Sequence, residues 1–352
     1  MTDQSGNITR RDGTADLLKG VAVLLMIQVH LTEQFGSPDM YNSMIGKISM
    51  FLGGPPCAPV FMAVMGYFLA CSAKPLTYFL KRGSLLFLGG ILLNVTRSAN
   101  LLSRIMLGKA DLDPLFFILG VDILALAGLS LILTGILRLV LKERSWLYFL
   151  VAIMVAFVSP LLDKTGFTGT ARAYLMAYLW GTAEWSYFPL FPWFAYVLTG
   201  YAFHLFLKGS PFIKNIEIQN HLVYFIPLWI VIIVTLPYAA GITHNLGGPG
   251  GYYHHGILFY GWVVLFMIAY LILVKSAETL YGDHKIIKMI RWAGQKVTSL
   301  YVIQWIIIGN MATLLYKSQN LLQLVVWFVI VTAFTLLTGW LVQKIRVNAL
   351  FY

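Results

Sequence analysis

Long apolar runs separated by short polar segments dominate the 352-residue sequence. A run of about 20 apolar residues is long enough for a helix to cross the hydrocarbon core of a bilayer. Reading for such runs predicts ten membrane helices. They are residues 15–32, 57–73, 78–97, 115–138, 145–162, 188–207, 221–240, 256–275, 298–316 and 321–343. The chain is therefore predicted to be an all-α, polytopic membrane helix bundle.

Composition excludes a soluble fold. The chain is 59% hydrophobic and 11% charged, whereas soluble domains are about 45–50% apolar with Gly included and about 25% charged. Ten helices would use roughly 200 residues, which leaves loops but no sizeable soluble domain. We expect a single transmembrane domain over residues 1–352, beginning with a polar cytoplasmic segment, residues 1–14. That segment lacks the features of a cleavable signal peptide, so the first apolar run is expected to be retained.

The basic residues indicate how the bundle is oriented, because Lys and Arg accumulate in cytoplasmic loops. With a cytoplasmic N-terminus and ten alternating helices, 18 of the 25 basic residues lie inside. The seven outside are Lys47, Arg97, Arg104, Lys109, Lys164, Arg172 and Lys317. This split predicts that both termini are cytoplasmic. The net charge of +11 then reflects orientation and attraction to the lipid bilayer, and it does not imply nucleic acid.

Ionisable residues inside membrane helices are costly, so each is a candidate functional residue. Asp16 and Lys19 lie near the cytoplasmic start of the first helix. His30 follows eleven residues after Lys19, which places it about 16 Å further along the helix, in the outer half of the membrane. Two interpretations of His30 stay open: it lines a cavity, or it is a structural histidine bonded to a neighbouring helix.

Other polar residues fall in or beside the later helices. Asp122 is expected inside the fourth helix, where a buried carboxylate needs a cation, and Arg97 is the nearest by topology. A structural ion pair is the favoured interpretation, and contact with substrate is the alternative. Gln304 can hydrogen-bond between helices. Lys81 and Arg82 begin the third helix and fit the positive-inside rule as simple anchors.

Two segments outside the predicted helices are also candidates. Within residues 163–187 the run ARAYLMAYLWG has a half-buried pattern but is too short to span, so the segment is expected to be interfacial or re-entrant. The outer loop with His244, His254 and His255 lacks metal-ligand spacing, so we expect a flexible lid or acceptor-binding loop and no metal. The aromatic residues cluster near helix ends, as the commoner interfacial belts do. Those that are alternatively candidates for stacking on sugar rings are Trp185, Tyr187, Trp193, Tyr252 and Tyr253.

One motif in the first helix resembles a known family. The pattern R-x4-D-x2-K-G-x-A-x-L-x5-H runs from Arg11 through Asp16 and Lys19 to His30. It resembles the first-helix motif of the transmembrane acyltransferase superfamily, which contains the type 3 acyltransferases and the heparan-α-glucosaminide N-acetyltransferases. Many members have Arg eleven positions before the outer-half His, where this chain has Lys19, a point charge instead of a planar fork.

Four later segments are similar to family segments in the same order. They are PVFMAVMGYFLA, VDILALAGLSLIL, YFPLFPWFAYVLTGYAFH and WAGQKVTSLYVIQW. The third resembles the heparan-glucosaminide branch in particular. In type 3 relatives a His often stands at the position of Gln304. The resemblance covers most of the chain.

The resemblance implies acyl transfer across a membrane. Cytoplasmic acyl-CoA, taken as acetyl-CoA, would donate to a hydroxyl or amine of an extracytoplasmic glycan or lipid-linked sugar of the cell envelope, with the enzyme in the plasma (inner) membrane. The CoA phosphates need cations, which Lys19, Lys81, Arg82 and Arg11 would supply. A poorly hydrated His30 is expected to be neutral, as a general base must be, and an acyl-histidine intermediate is the alternative.

The competing functional class is a secondary transporter or flippase. In that case His30, Asp122 and Arg97 would form a polar relay for protons or substrate. The absence of a detectable internal repeat argues against this class. A membrane partner without chemistry explains neither Lys19 nor His30. The sequence leaves the acceptor's identity and the oligomeric state open, a homo-oligomer included.

Overall fold

The computed structural model describes residues 12–162, 171–210 and 225–344. Its α-helices are α1 Gly13–Phe35, α2 Pro38–Asn42, α3 Met44–Gly53, α4 Ala58–Ala70, α5 Leu76–Arg97, α6 Ala99–Met106, α7 Pro114–Ile118, α8 Ile123–Leu141, α9 Ser145–Val158, α10 Ala171–Ala177, α11 Leu190–Gly209, α12 Ile226–His244, α13 Ile257–Tyr281, α14 Lys285–Gln295, α15 Val297–Leu315 and α16 Leu321–Lys344. Short 3₁₀ turns cover Ser159–Leu161 and Tyr252–His254. The predicted all-α membrane bundle is confirmed.

Each predicted membrane helix has a counterpart in the described part of the chain. Nine spans there are long and apolar enough to cross a bilayer, and Ser145–Leu161 is a shorter apolar helix. The prediction of 57–73 for the second span is too short, because α3 and α4 together form one span, Met44–Ala70. The turn between them, at residues 54–57, interrupts this span without ending it.

The fourth span begins later than predicted. Residues 115–138 are not one helix, because the short α7 ends at Ile118 and α8 begins at Ile123. The side chain of Asp122 accepts a hydrogen bond from the Leu124 N–H at 2.9 Å and caps α8. Asp122 is therefore at the start of a helix and not inside it, because a short polar side chain that binds a free N–H favours the N-cap position.

Helix α1 lies at the centre of the bundle and packs against α3, α14, α15 and α16. Its Asp12 side chain caps it by accepting the Ala15 N–H at 3.1 Å. Where α1 crosses α14, Gly20 faces the Ile290 carbonyl and Gly294 faces the Asp16 carbonyl so closely that neither position has room for a Cβ. Such small residues let membrane helices approach and bring their backbones into van der Waals contact.

The connections between helices gather at two opposite ends of the bundle. At the end of α1 beyond His30, the Ser37 N–H donates to the Gln319 carbonyl at 2.9 Å and the Lys317 N–H donates to the Gln34 carbonyl at 3.0 Å. We call this end the His30 face. The opposite end, near the start of α1, is the Lys19 face. There Arg138 donates to the Ser72 carbonyl at 2.8 Å.

The segment predicted as interfacial or re-entrant lies partly outside the described residues, at 163–170. Its described part contains the short α10 and an extended stretch that docks on the chain before α8. The Val121 N–H donates to the Trp185 carbonyl at 2.7 Å, and the Phe188 N–H donates to the Val121 carbonyl at 3.1 Å. These bonds attach the segment to the His30 face.

Candidate active site

A cavity of about 670 Å³ lies among the helix ends and loops of the His30 face. Its wall includes Met26 of α1 and Phe61 of α4 and, among exposed residues, Lys109 and Tyr316. The ionisable residues in its wall, tyrosines and Cys57 aside, are His30, Glu33, Arg97, Arg104, Lys109 and Asp122. Three of the predicted site residues, His30, Arg97 and Asp122, therefore meet in one cavity.

The imidazole of His30 packs against the indole of Trp305 in α15. Their ring centroids are 4.1 Å apart, with the planes tilted by 35°. His30 is half-buried, and its Nδ1 is buried without a hydrogen-bond partner among the described residues. In that part of the chain no carboxylate holds the ring through Nδ1, and the indole packs directly against it. His30 is a cavity residue, and its catalytic role stays a prediction.

Arg97 and Asp122 form the ion pair expected from the sequence. Arg97 Nη1 lies 3.2 Å from Asp122 Oδ2, and the Tyr301 hydroxyl donates to the same oxygen at 2.6 Å. Since Asp122 Oδ1 also caps α8, both carboxylate oxygens have partners, as a buried charge requires. The Arg97 guanidinium lies 4.6 Å from the centroid of the Trp305 ring. This network joins α5, α8 and α15 beside His30.

Glu33 is a cavity residue that the sequence prediction missed. It follows His30 by three positions in α1, so both side chains lie on the same helix face. The Tyr253 hydroxyl hydrogen-bonds to its carboxyl group, and the charge of Lys317 acts on it. The predicted first helix ended at residue 32, whereas α1 continues to Phe35. The sequence feature that could have identified Glu33 is a carboxylate one helical turn after a histidine in a membrane helix.

Aromatic rings form much of the cavity wall. Of the residues proposed to stack on sugars, Tyr187, Tyr252 and Tyr253 line the cavity. Trp185 instead stacks on Tyr174, with centroids 4.7 Å apart, and Trp193 is fully buried. Burial raises the pKa of the Tyr187 hydroxyl and places that of Tyr253 well above its usual value. Both hydroxyls therefore stay protonated and act as hydrogen-bond donors.

The histidine-rich loop is packed against the bundle, which argues against the flexible lid, whereas the alternative of an acceptor-binding loop stays a prediction. His254 and His255 are buried, and His255 Nε2 lies 2.8 Å from the Tyr196 hydroxyl. His244 ends α12, where its ring packs against Tyr41. Within residues 12–162, 171–210 and 225–344, no group of three or more His, Cys, Asp or Glu side chains is placed to hold a metal ion.

The cations predicted to bind the donor lie at the other end of the bundle. Lys19 forms an ion pair with Asp16 at 2.9 Å and lies over the ring of Phe68. Lys81 and Arg82 belong to the second turn of α5, with Lys81 exposed and Arg82 half-buried. None of these residues lines the cavity. Arg11 lies outside the described residues.

Gln304 is also separate from the cavity. It is fully buried in α15, and neither atom of its side-chain amide has a hydrogen-bond partner among the described residues. Asp16 is likewise distant, because its carboxylate pairs with Lys19 on the Lys19 face. The predicted polar network is therefore divided, with only Arg97 and Asp122 beside His30.

Comparison with known families adds independent evidence. A family model described as "Heparan-alpha-glucosaminide N-acetyltransferase, catalytic" matches residues 11–232, well over half of the chain. The matched region contains His30, Glu33 and the Arg97–Asp122 pair, while Tyr253 and Trp305 lie beyond it. No curated protein matches the chain.

Proposed function

The chain belongs to the heparan-alpha-glucosaminide N-acetyltransferase catalytic family, and from this membership we propose that it transfers an acetyl group from acetyl-CoA to a glycan or lipid-linked sugar. The family makes the chain a multi-pass membrane enzyme of the acetyltransferase type. The acceptor atom in the proposal is a hydroxyl oxygen or an amine nitrogen. The observation that carries the proposal is that His30 lines a cavity together with a carboxylate and several aromatic rings.

His30 acts as the general base in this proposal. It takes the proton of the acceptor hydroxyl or amine while that atom attacks the thioester carbonyl. The tetrahedral intermediate then collapses, the carbon–sulfur bond breaks, and the CoA thiolate receives the proton from the imidazolium. In an acyl-histidine route the imidazole attacks the thioester carbonyl first, the carbon–sulfur bond breaks and the CoA thiolate leaves. The acceptor then attacks the acetyl-imidazole, the carbon–nitrogen bond to His30 breaks, and the acceptor's proton is left on the freed imidazole or on the thiolate.

The cavity wall supports a sugar acceptor. Tyrosine rings offer apolar faces with a hydroxyl at the edge, and the carboxylate of Glu33 accepts hydrogen bonds from hydroxyl or amine groups. Trp305 restrains the ring of His30 by direct contact. A base held in one orientation loses less entropy when the reacting atoms come together.

The donor in this proposal enters from the Lys19 face. Phosphate groups of CoA would bind Lys19, Lys81, Arg82 and Arg11, and the thioester would reach His30 through the bundle. Because acyl-CoA is a cytoplasmic metabolite, the Lys19 face is then cytoplasmic and the His30 face extracytoplasmic. We place the enzyme in the plasma membrane in this orientation.

Radiolabelled acetyl-CoA supplied to membranes containing the protein tests this function. Acetylated sugar formed together with free CoA, without movement of an unmodified sugar across the membrane, supports an enzyme. Uptake of sugar without consumption of acetyl-CoA would identify a transporter and would contradict the proposal. Membranes containing the His30→Ala variant are the matched control for background acetylation.

A further inference from the structure

Two cations on the outer wall of the cavity are not used by the proposed chemistry. Arg104 lies in the last turn of α6, and Lys109 follows in the next loop. Both line the cavity. We call these two residues the cationic rim.

The charge of the cationic rim is not neutralised by a neighbouring carboxylate. Within the described parts of the chain, neither Arg104 nor Lys109 forms an ion pair. Asp113, the N-cap of α7, accepts the Leu115 N–H at 2.9 Å and the Tyr174 hydroxyl at 2.8 Å. Asp111 is exposed and does not line the cavity.

The two carboxylates that do line the cavity are also engaged. Asp122 pairs with Arg97, and Glu33 is hydrogen-bonded to Tyr253. The wall therefore has its free positive charge at the outer side and a carboxylate beside His30. Positive residues in the wall of a cleft raise the local concentration of anions there, because the surrounding protein screens their field poorly.

Helix α6 is fixed in place by hydrogen bonds to α15. The Asn100 N–H donates to Asn310 Oδ1 at 2.9 Å, and Asn310 Nδ2 donates to the Thr96 carbonyl at 2.9 Å. Beyond α6, the Lys109 N–H donates to the Arg104 carbonyl at 2.8 Å. The turn between them contains Gly108 with φ +68°, a conformation that glycine adopts without strain. The two cations are thus held on one turn of chain at the cavity wall.

We propose that Arg104 and Lys109 bind an anionic group of the acceptor, a phosphate or carboxylate located outward of the sugar whose hydroxyl or amine faces His30. This inference rests on the proposed function, in which the donor phosphates bind at the Lys19 face. A guanidinium and an ammonium on one turn of the cavity wall suit such a group, because both form charge-assisted hydrogen bonds to its oxygens. The acceptor is then a molecule with a polar nucleophilic end and an anionic end.

Direct binding to the purified full chain tests this assignment without requiring turnover. The probes are glucosamine and glucosamine 6-phosphate, which differ only in the phosphate group, measured by calorimetry in low salt. We expect the parent protein to bind the phosphorylated probe at least about tenfold more tightly, as one good charge-assisted contact gives. The Arg104→Gln/Lys109→Gln double variant should bind the two probes alike.

The matched control is Lys47→Gln, which removes an exposed cation of the same face that does not line the cavity. It should keep the preference for phosphate. Equal binding of both probes by the parent, binding of neither, or a preference retained by the double variant would overturn the inference.

A third probe, CoA, separates the two sources of phosphate. The double variant should bind CoA as the parent does, and a loss of CoA affinity would assign the cationic rim to the donor and overturn the assignment to the acceptor. These binding results are independent of acetyl transfer. If the proposed function is wrong, no acetyl transfer will be detected. If this inference is wrong, the parent protein will bind glucosamine and glucosamine 6-phosphate equally well.

Discussion

His30 and Trp305 are in direct ring contact although 275 positions of sequence separate them, with centroids 4.1 Å apart. The contact joins the central helix α1 to α15 at the wall of the cavity. The ring of His30 has no hydrogen bond at Nδ1 within the described residues, and the indole is in direct contact with it. Trp305 also lies against Arg97 and so connects the histidine with the buried ion pair.

From this contact we predict that Trp305 positions His30, the proposed general base. Trp305→Leu should lower kcat by about tenfold to a hundredfold, because small misplacements of reacting groups cost rates of this order. Trp305→Phe keeps an aromatic face and should lower kcat less than Trp305→Leu does. Steady-state acetyl transfer measures both effects, and donor KM should change little. The control is Trp146→Leu, since Trp146 is 62% exposed. If the parent and Trp305→Leu have equal kcat, Trp305 does not position His30.

The Arg97–Asp122 pair makes a prediction about stability. Replacing one partner leaves the other charge buried, so Arg97→Gln or Asp122→Asn should each lower the free energy of unfolding by about 3 kcal/mol or more. The double variant should lose less free energy of unfolding than the two single variants lose together. Unfolding in detergent, followed by tryptophan fluorescence, measures the cycle. Strict additivity of the two losses would show that the pair is not coupled.

An exposed ion pair provides the comparison for this cycle. Lys208 and Glu143 lie 2.9 Å apart on the protein surface, where such pairs contribute little. Their single and double variants should unfold almost as the parent does. The contrast separates the effect of burial from the effect of removing any charge.

Glu33 is expected to position the acceptor. Glu33→Gln removes a carboxyl group that hydrogen-bonds beside His30 and should raise acceptor KM about tenfold, while donor KM stays close to that of the parent. The matched control is Glu184→Gln, because Glu184 is exposed and does not line the cavity. An unchanged acceptor KM in Glu33→Gln, or an equal effect in the control, would contradict this role.

The two cysteines allow the orientation to be measured in the natural sequence. Cys71 is exposed on the Lys19 face and Cys57 is buried. Partial burial and the charge of Asp12 raise the pKa of the Cys71 thiol, so labelling needs a mildly alkaline buffer to form thiolate. A membrane-impermeant maleimide should label Cys71 only after cells are permeabilised.

Asp111→Cys in a Cys71→Ser background is the control for the opposite side. Asp111 is exposed in the loop of the cationic rim, so this variant should be labelled in intact cells. Labelling of Cys71 in intact cells, with no labelling at position 111, would reverse the orientation that we propose.

Much of the bundle was predictable because a membrane helix must satisfy its own backbone hydrogen bonds and be apolar over its length. The residues at which the helices begin and end were harder to predict. Asp122 looks like a residue inside a helix when only apolar runs are counted, but its side chain caps α8. The end of α1 was placed too early, which removed Glu33 from consideration.

The site was predictable only where a residue is unusual on its own. His30 and the Arg97–Asp122 pair stand out because charges and histidines are rare in membrane helices. Trp305 and Tyr253 do not, since aromatic residues are common at membrane interfaces. Their contacts with His30 and Glu33 depend on how distant helices pack, which local sequence does not determine.

The central claim is that His30 transfers the proton in acetyl transfer. The most direct measurement compares single-turnover acetyl transfer by the purified parent, His30→Ala and His30→Gln with saturating labelled acetyl-CoA. His284→Ala is the control, because His284 is exposed on the Lys19 face. We predict that both His30 variants bind acetyl-CoA like the parent and transfer about 10²- to 10⁴-fold more slowly, while His284→Ala is fully active. Transfer by either His30 variant within a few-fold of the parent rate would contradict the claim.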